Sequence, residues 1–192
     1  MKLEVAPLEN AFVRLAPLGE AHREPLRAAC AADTEIWAAL YPYSMAGEHF
    51  DPRFNQLLTD AGRGQTMPFA VLARGKVVGL SCFLAVDPIN ASVEIGGTYY
   101  RPDVRGGVVN PAAKRLLFGH AFACGARRVQ LKVDALNARS CAAVLKLGAV
   151  QEGILRQDRV TWTGRVRDTV CFSVLADEWP RVREGLDRRL AR

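Results

Sequence analysis

Apolar and polar positions alternate along residues 12–15, which predicts a first strand. From 20 to 40 the period becomes helical, with Leu26, Ala29 and Cys30 and then Trp37 and Leu40 on the apolar side. Residues 41–52 mix Pro, Gly and aromatics and read as a loop; 54–61 give a short helix that 62–68 break. Strands at 69–73 and 76–84 flank Arg74-Gly75, a tight hairpin signal. The longest apolar run, 77–86, is about half of the ~20 residues that span a bilayer, so it reads as a buried strand. A turn at 87–90 leads into a strand at 92–100, with Val93, Ile95, Gly97 and Tyr99 expected on one face and Glu94, Gly96 and Thr98 on the other.

Residues 101–109 (RPDVRGGVV) form a loop, after which Asn110 reads as a helix cap and Pro111 as the first helical residue. Ala113, Leu116, Leu117 and Ala121 mark the apolar face of that helix, and Gly125 stops it. A strand at 129–133, a helix at 138–147 ended by Gly148, strands at 154–161 and 167–174 joined through Thr163-Gly164, and a last helix at 177–190 complete the pattern. Pro180 falls in the first turn of that last helix, where its missing N–H is tolerated. The unit 92–133, strand then helix then strand, calls for a parallel pair with a right-handed crossover, whereas the hairpins around it call for antiparallel pairing. The fold class is therefore α/β (α+β), a mixed sheet flanked by helices. No repeat or low-complexity linker interrupts it, so 1–192 reads as one domain.

Composition narrows this picture. Hydrophobic residues make up 49% and charged residues 24% of the chain, an ordinary globular balance. The amino terminus (MKLEVAPLEN) has no apolar signal segment, so a cytoplasmic location away from membranes is expected. Five widely spaced cysteines without a CxxC pair argue against a disulfide framework and a zinc site, and no metal is expected. The formal charge of +6 suits a polyanion such as CoA or nucleic acid, or equally a solvated basic face. No P-loop, zinc-finger or RNP pattern is present, so direct nucleic-acid binding is not expected. Oligomeric state stays open, a homodimer included.

Four segments carry candidate chemistry. The loop Arg105, Gly106, Gly107, Val108 and Val109 runs into a helix start, where amides approached through glycines form an anion site; an ordinary strand-to-helix turn reads the same way. Asn137 either caps the following helix or offers its amide to a ligand, and Ser140 lies one turn on. Glu94 stands on a strand before Gly96 and Gly97, and a glycine within a strand marks a bulge or the close approach of another backbone. Residues 149–156 (AVQEGILR) turn the chain into its last strands.

The segments GGTYYRPDVRGGVVNPAAKRLLFGHAF, LKVDALNARSCAAVLKLGAVQEGILR and GRVRDTVCFSVLADEWPRV, in this order and spacing, resemble the Rim-type branch of the GNAT superfamily of N-acetyltransferases. That branch includes ribosomal-protein N-terminal acetyltransferases. The resemblance is strong from Ser92 to Arg183 and weaker back toward residue 11.

The resemblance implies a GNAT-type mixed, mostly antiparallel sheet in which the parallel strands 92–100 and 129–133 splay to admit the pantetheine arm of acetyl-CoA. It implies that the 105–109 amides hold the pyrophosphate, that Asn137 contacts pantetheine, and that Arg105 or Lys114 faces phosphate. Two departures stand out. Val108 and Asn110 occupy the two glycine positions of the family's phosphate loop, Asn being usual in the Rim branch, and Val144 replaces the tyrosine acid of many members. Ser140 matches a serine that some Rim-type enzymes use.

On this reading the enzyme moves acetyl from acetyl-CoA to an amine, a ribosomal or other protein N-terminus or a small molecule, with Glu94 as base and Ser140 at the leaving thiolate. A CoA-binding or protein- or RNA-binding module that keeps the fold without transfer is the alternative. The acceptor pocket is expected from Trp37, Tyr41, Tyr43 and Phe50, whose other role is to pack the amino-terminal helices.

Overall fold

The computed structural model describes residues 1–191. Strands β1 (Leu8–Glu9) and β2 (Arg14–Pro17) precede helices α1 (Arg23–Ala31), α2 (Glu35–Leu40) and α3 (Phe50–Gly62). Then follow β3 (Thr66–Ala73), β4 (Lys76–Asp87), β5 (Ser92–Tyr100), α4 (Val109–Ala123), β6 (Arg128–Asp134), α5 (Ala138–Leu147), β7 (Val150–Val160), β8 (Val166–Leu175) and α6 (Trp179–Leu190). The eight strands form one sheet in the order β1-β2-β3-β4-β5-β6-β8-β7. Every neighbouring pair is antiparallel except β5 and β6. Among the described residues no helix is long and apolar enough to cross a membrane.

Two apolar clusters lie on the sheet. Leu15, Phe83, Val93, Ile95, Val129 and Phe172 pack with α4, α5 and α6. Leu80, Cys82 and Tyr99 pack with α1, α2 and α3. The alternation expected along β5 fails at one point, and that failure moves Tyr99. Val93 and Ile95 join the first cluster, but Tyr99 stacks on Trp37 in the second, and Tyr100 returns to the first. The cause is a bulge. Leu80 pairs with Tyr99 and Cys82 with Gly96, so Gly97 and Thr98 together oppose Ser81. Gly97 has φ +59°, a conformation that glycine adopts at little cost.

Other boundaries shift for local reasons. The helical pattern over 20–40 divides at Asp33, whose carboxylate accepts the Ile36 N–H (3.4 Å) and starts a second helix. α3 begins four residues before the expected start, with Pro52 inside its first turn. α4 starts at Val109 instead of Pro111, and Val108, not Asn110, holds the cap position. Val109 is buried and draws the first turn inward, while Pro111 remains where no N–H is needed. α5 keeps its predicted bounds: Asn137 Oδ1 accepts the Ser140 N–H (3.0 Å), and Gly148 ends the helix at φ +97°.

Candidate active site

β5 and β6 are paired only at their beginnings, through Ser92–Arg128, Val93–Val129 and Glu94–Gln130. Beyond Glu94 they diverge, each held from its outer side by β4 or β8. A cleft of about 510 Å³ opens in that wedge. It reaches from Gly106, Gly107 and Asn110 at the start of α4 to Tyr41 and Tyr43 before α3, with α5 along one wall. Its size is within the ~300–1,000 Å³ of small-molecule sites.

At the α4 end, Gly106, Gly107 and Val108 are exposed, and Gly106 adopts φ +78°. Among the described residues, no backbone carbonyl or side chain accepts a hydrogen bond from the amides of Gly106, Gly107, Val108, Val109 or Asn110. These donors sit at the positive end of a fifteen-residue helix, which favours an anion. Asn110, released from capping, lines the cleft instead.

Arg105 and Lys114 both line the cleft, and each is engaged by a protein partner there. Arg105 turns toward the helical layer, donating to Asp33 Oδ2 (2.5 Å) and to the Tyr100 carbonyl (2.7 Å). It ties the loop to Asp33, between α1 and α2, while lining the cleft. Lys114 is 5% exposed and donates to Thr98 Oγ1 (2.9 Å), which in turn pairs with Ser81 Oγ (2.8 Å). Its amine is thus engaged at the β5 bulge, on the wall of the cleft. The reason is helical geometry: Lys114 follows Pro111 by three positions and shares its buried face.

Burial pushes the Lys114 amine down from 10.5 to about 7. Between those values the unfolded chain holds the proton more tightly, so stability rises with pH across that window. Lys114→Met removes this titration. Thermal melts from about pH 7 to about pH 9 should show wild-type Tm climbing relative to the variant, by roughly 2–4 °C per kcal/mol. Parallel curves for the two proteins would exclude a neutral amine at this position.

Cations missed in the sequence line the α5 side. Arg139 and Lys146 stand seven residues apart, two helical turns, and so share a face; that spacing is a signal the sequence contains. Arg189 of α6, readable only as part of a short basic run, reaches the same cleft with a buried Nη1 that has no partner among the described residues. Asn137 spends its carbonyl oxygen on the cap, which leaves its amide nitrogen toward the cleft; Ser140 and Val144 line it as well.

Glu94 lies where β5 and β6 part. Its side chain is 13% exposed, with the Lys132 ammonium 3.5 Å away. Burial pushes its carboxyl above the usual carboxylate range, and Lys132 opposes that shift. The carboxylate leans over Gly96, where a Cβ would fall 2.8 Å from Glu94 Oε1. Glycine there leaves room for the acid.

Of the four aromatics expected in an acceptor pocket, Tyr41 and Tyr43 line the cleft and Trp37 and Phe50 do not. Trp37 is 1% exposed and Phe50 is 0% exposed, both within the second apolar cluster. Trp37 Nε1 donates to the Cys30 carbonyl (3.1 Å), so its polar edge is satisfied internally. The Tyr41 hydroxyl donates to the Thr98 carbonyl (2.6 Å). The hairpin tip between β7 and β8 closes this end: Trp162 Nε1 donates to the Trp37 carbonyl (2.9 Å), and Arg165 to that of Ala39 (3.3 Å). No local sequence pattern announces that clasp.

Residues 13–150 match the model of an acetyltransferase (GNAT) domain. A GCN5-related N-acetyltransferase from Brucella melitensis is 30% identical at TM-score 0.86, covering 96% of this chain and 85% of that one. RimJ from Mycobacterium smegmatis, in complex with CoA-disulfide, is 22% identical at TM-score 0.81, covering 96% and 93%, and shares the fold. The ribosomal-protein-serine acetyltransferase of Escherichia coli (strain K12) is 26% identical over 95 residues, a match spanning 50% of this chain and 53% of that protein. The family match covers well over half of the sequence, and the wedge, loop and helix start all lie within it. On that match the chain belongs to the GNAT acetyltransferase family.

Proposed function

We propose that this enzyme transfers acetyl from acetyl-CoA to a primary amine by direct attack on the thioester. The observation that carries the reading is the wedge between β5 and β6, with unpaired amides at its mouth. Amides of Gly106, Gly107, Val108, Val109 and Asn110 fit a diphosphate, and Arg139, Lys146 and Arg189 supply positive charge beside it. Val108 leaves its amide available although it adds a side chain, so the loop retains its donors.

Within the wedge, pantetheine would run past the Asn137 amide and bring the thioester to the bare backbone of Gly96 and Gly97. Glu94 takes the proton of the incoming amine, directly or through water; its raised pKa makes it a stronger base than an exposed carboxylate. A β5 amide beyond Glu94, where pairing with β6 has ended, holds the tetrahedral oxyanion. Ser140 donates to the departing thiolate, and Val144 contributes only packing where a tyrosine acid would stand. The acceptor is a protein N-terminus or a small-molecule amine. The likeness to a ribosomal-protein-serine acetyltransferase favours the N-terminus.

CoA at about 100 times its Kd should stabilise the protein by ~2.7 kcal/mol, a Tm rise of roughly 5–11 °C. Thiol release from acetyl-CoA with a panel of amines then tests transfer. Stabilisation without thiol release on any amine would leave a binding module on the same fold.

A further inference from the structure

We propose that the acceptor carries a carboxylate bound by Arg53, as in a peptide N-terminus followed at its second or third position by an acidic residue. This rests on the acetyltransferase reading above and names the substrate class of the same cleft.

Three arginines lie over aromatic rings in the helical layer. Arg23 covers Phe54 at 4.3 Å, Arg27 covers Phe50 at 4.4 Å, and Arg53 covers Tyr43 at 4.1 Å. The first two also hold carboxylates: Arg23 pairs with Glu20 and Asp51, and Arg27 with Glu24 and Asp51. Arg53 pairs with none among the described residues, and its buried Nε has no hydrogen-bond partner. It is the member of the three that lines the cleft. A guanidinium drawn partly out of water without an anion is costly, and a carboxylate presented to its planar fork removes that cost.

Tyr43 fixes where this anion site lies relative to Glu94. A Cβ on Gly97 would fall 3.2 Å from the Tyr43 hydroxyl, as one on Gly96 would fall 2.8 Å from Glu94 Oε1. One side of β5 therefore presents Glu94, then bare backbone at Gly96 and Gly97, then Tyr43 with Arg53 stacked on it. Three residues at ~3.3 Å each separate the two ends by on the order of 10 Å. A free α-amino acid holds its amine and carboxylate two bonds apart and does not reach both. An extended peptide with Asp or Glu one or two residues after its N-terminus spans such a gap.

The test measures thiol release from acetyl-CoA with tetrapeptides beginning Ser-Asp and Ser-Ala-Glu, their isosteric partners Ser-Asn and Ser-Ala-Gln, and free glutamate. Wild-type, Arg53→Gln and Arg53→Lys proteins are compared. A charge-assisted bond predicts that wild type prefers acidic over amide peptides by roughly 10- to 100-fold in kcat/KM. Arg53→Gln should bring the ratio near one, and Arg53→Lys should restore part of it. The ratio is taken within each protein, so a general loss of activity cancels, and CoA stabilisation checks the fold. Equal rates on acidic and amide peptides, a preference that survives Arg53→Gln, or glutamate outrunning both acidic peptides would each overturn the proposal. Those results leave transfer itself intact, whereas loss of CoA stabilisation and of thiol release with every amine would sink the acetyltransferase reading.

Discussion

Glu94→Gln should lower kcat about 10²- to 10⁴-fold at neutral pH, the usual contribution of a positioned general base. The sign of the accompanying pH effect follows from the site. Burial raises the Glu94 pKa, so the working carboxylate is present above that raised value and is lost as pH falls through it. Wild-type kcat should therefore show an acid limb displaced upward from the ordinary carboxylate range, and the variant should lack that limb. The substitution is nearly isosteric, and among the described residues the carboxylate has one ion-pair partner, Lys132 at 3.5 Å, so the fold should persist. CoA-dependent stabilisation measured beside the rates separates lost chemistry from lost binding. An acid limb that survives in the variant would assign proton removal to another group.

The largest effect on stability is expected at Gly79→Ala. Gly79 sits in β4 opposite Tyr100, where a Cβ would fall 2.0 Å from the Tyr99 carbonyl oxygen and 3.0 Å from the Tyr100 Cα. Both atoms are backbone, so no rotamer relieves the clash and β5 itself must move. The expected loss is about 3 kcal/mol, the upper end for overpacking, which lowers Tm by roughly 6–12 °C. The same displacement reaches the cleft, because the end of β5 also carries the Gly97 bulge and the Thr98 contacts with Lys114 and Tyr41. CoA affinity should fall along with Tm. A Gly79→Ala protein that melts like wild type would mean that β5 can shift without cost. Gly75→Ala offers a contrast: its Cβ meets nothing within 4 Å, and only its φ of +73° opposes the change.

The order of elements was legible because each depends on neighbours in the chain. Periodicity located β4, β5, α4, β6 and α5 to within a residue or so, apart from a longer end to β4, and Asn137 and Gly148 marked both ends of α5. The β5–α4–β6 crossover required a parallel pair, and of the bulge or close backbone approach that the β5 glycines indicated, the bulge is present at Gly97. Motif order identified the family, since spacing along a chain is itself sequence information.

Side-chain direction was not legible, because it depends on contacts made across the fold. One inserted residue at the Gly97 bulge sends Tyr99 to the opposite side from Val93, a change alternation alone does not reveal. The family resemblance implied that Arg105 or Lys114 faces phosphate. Thr98 and Asp33, brought near from other elements, hold both at the cleft wall, which no local pattern reveals. Trp37 and Phe50 looked like pocket aromatics, and packing against Tyr99 and Phe54 makes them core.

The family, the element order and the position of the glycine loop before α4 were thus readable from the chain, because all of them follow from local pattern. Tertiary structure alone decided which polar groups face the cleft. β4 and β8 pull the parallel pair apart, and Arg53 of α3, Arg139 and Lys146 of α5, and Arg189 of α6 all line the cleft. The shared face of Arg139 and Lys146 is readable along the chain, but the meeting of three helices is not, because residues distant in sequence become neighbours only when the sheet and helices pack.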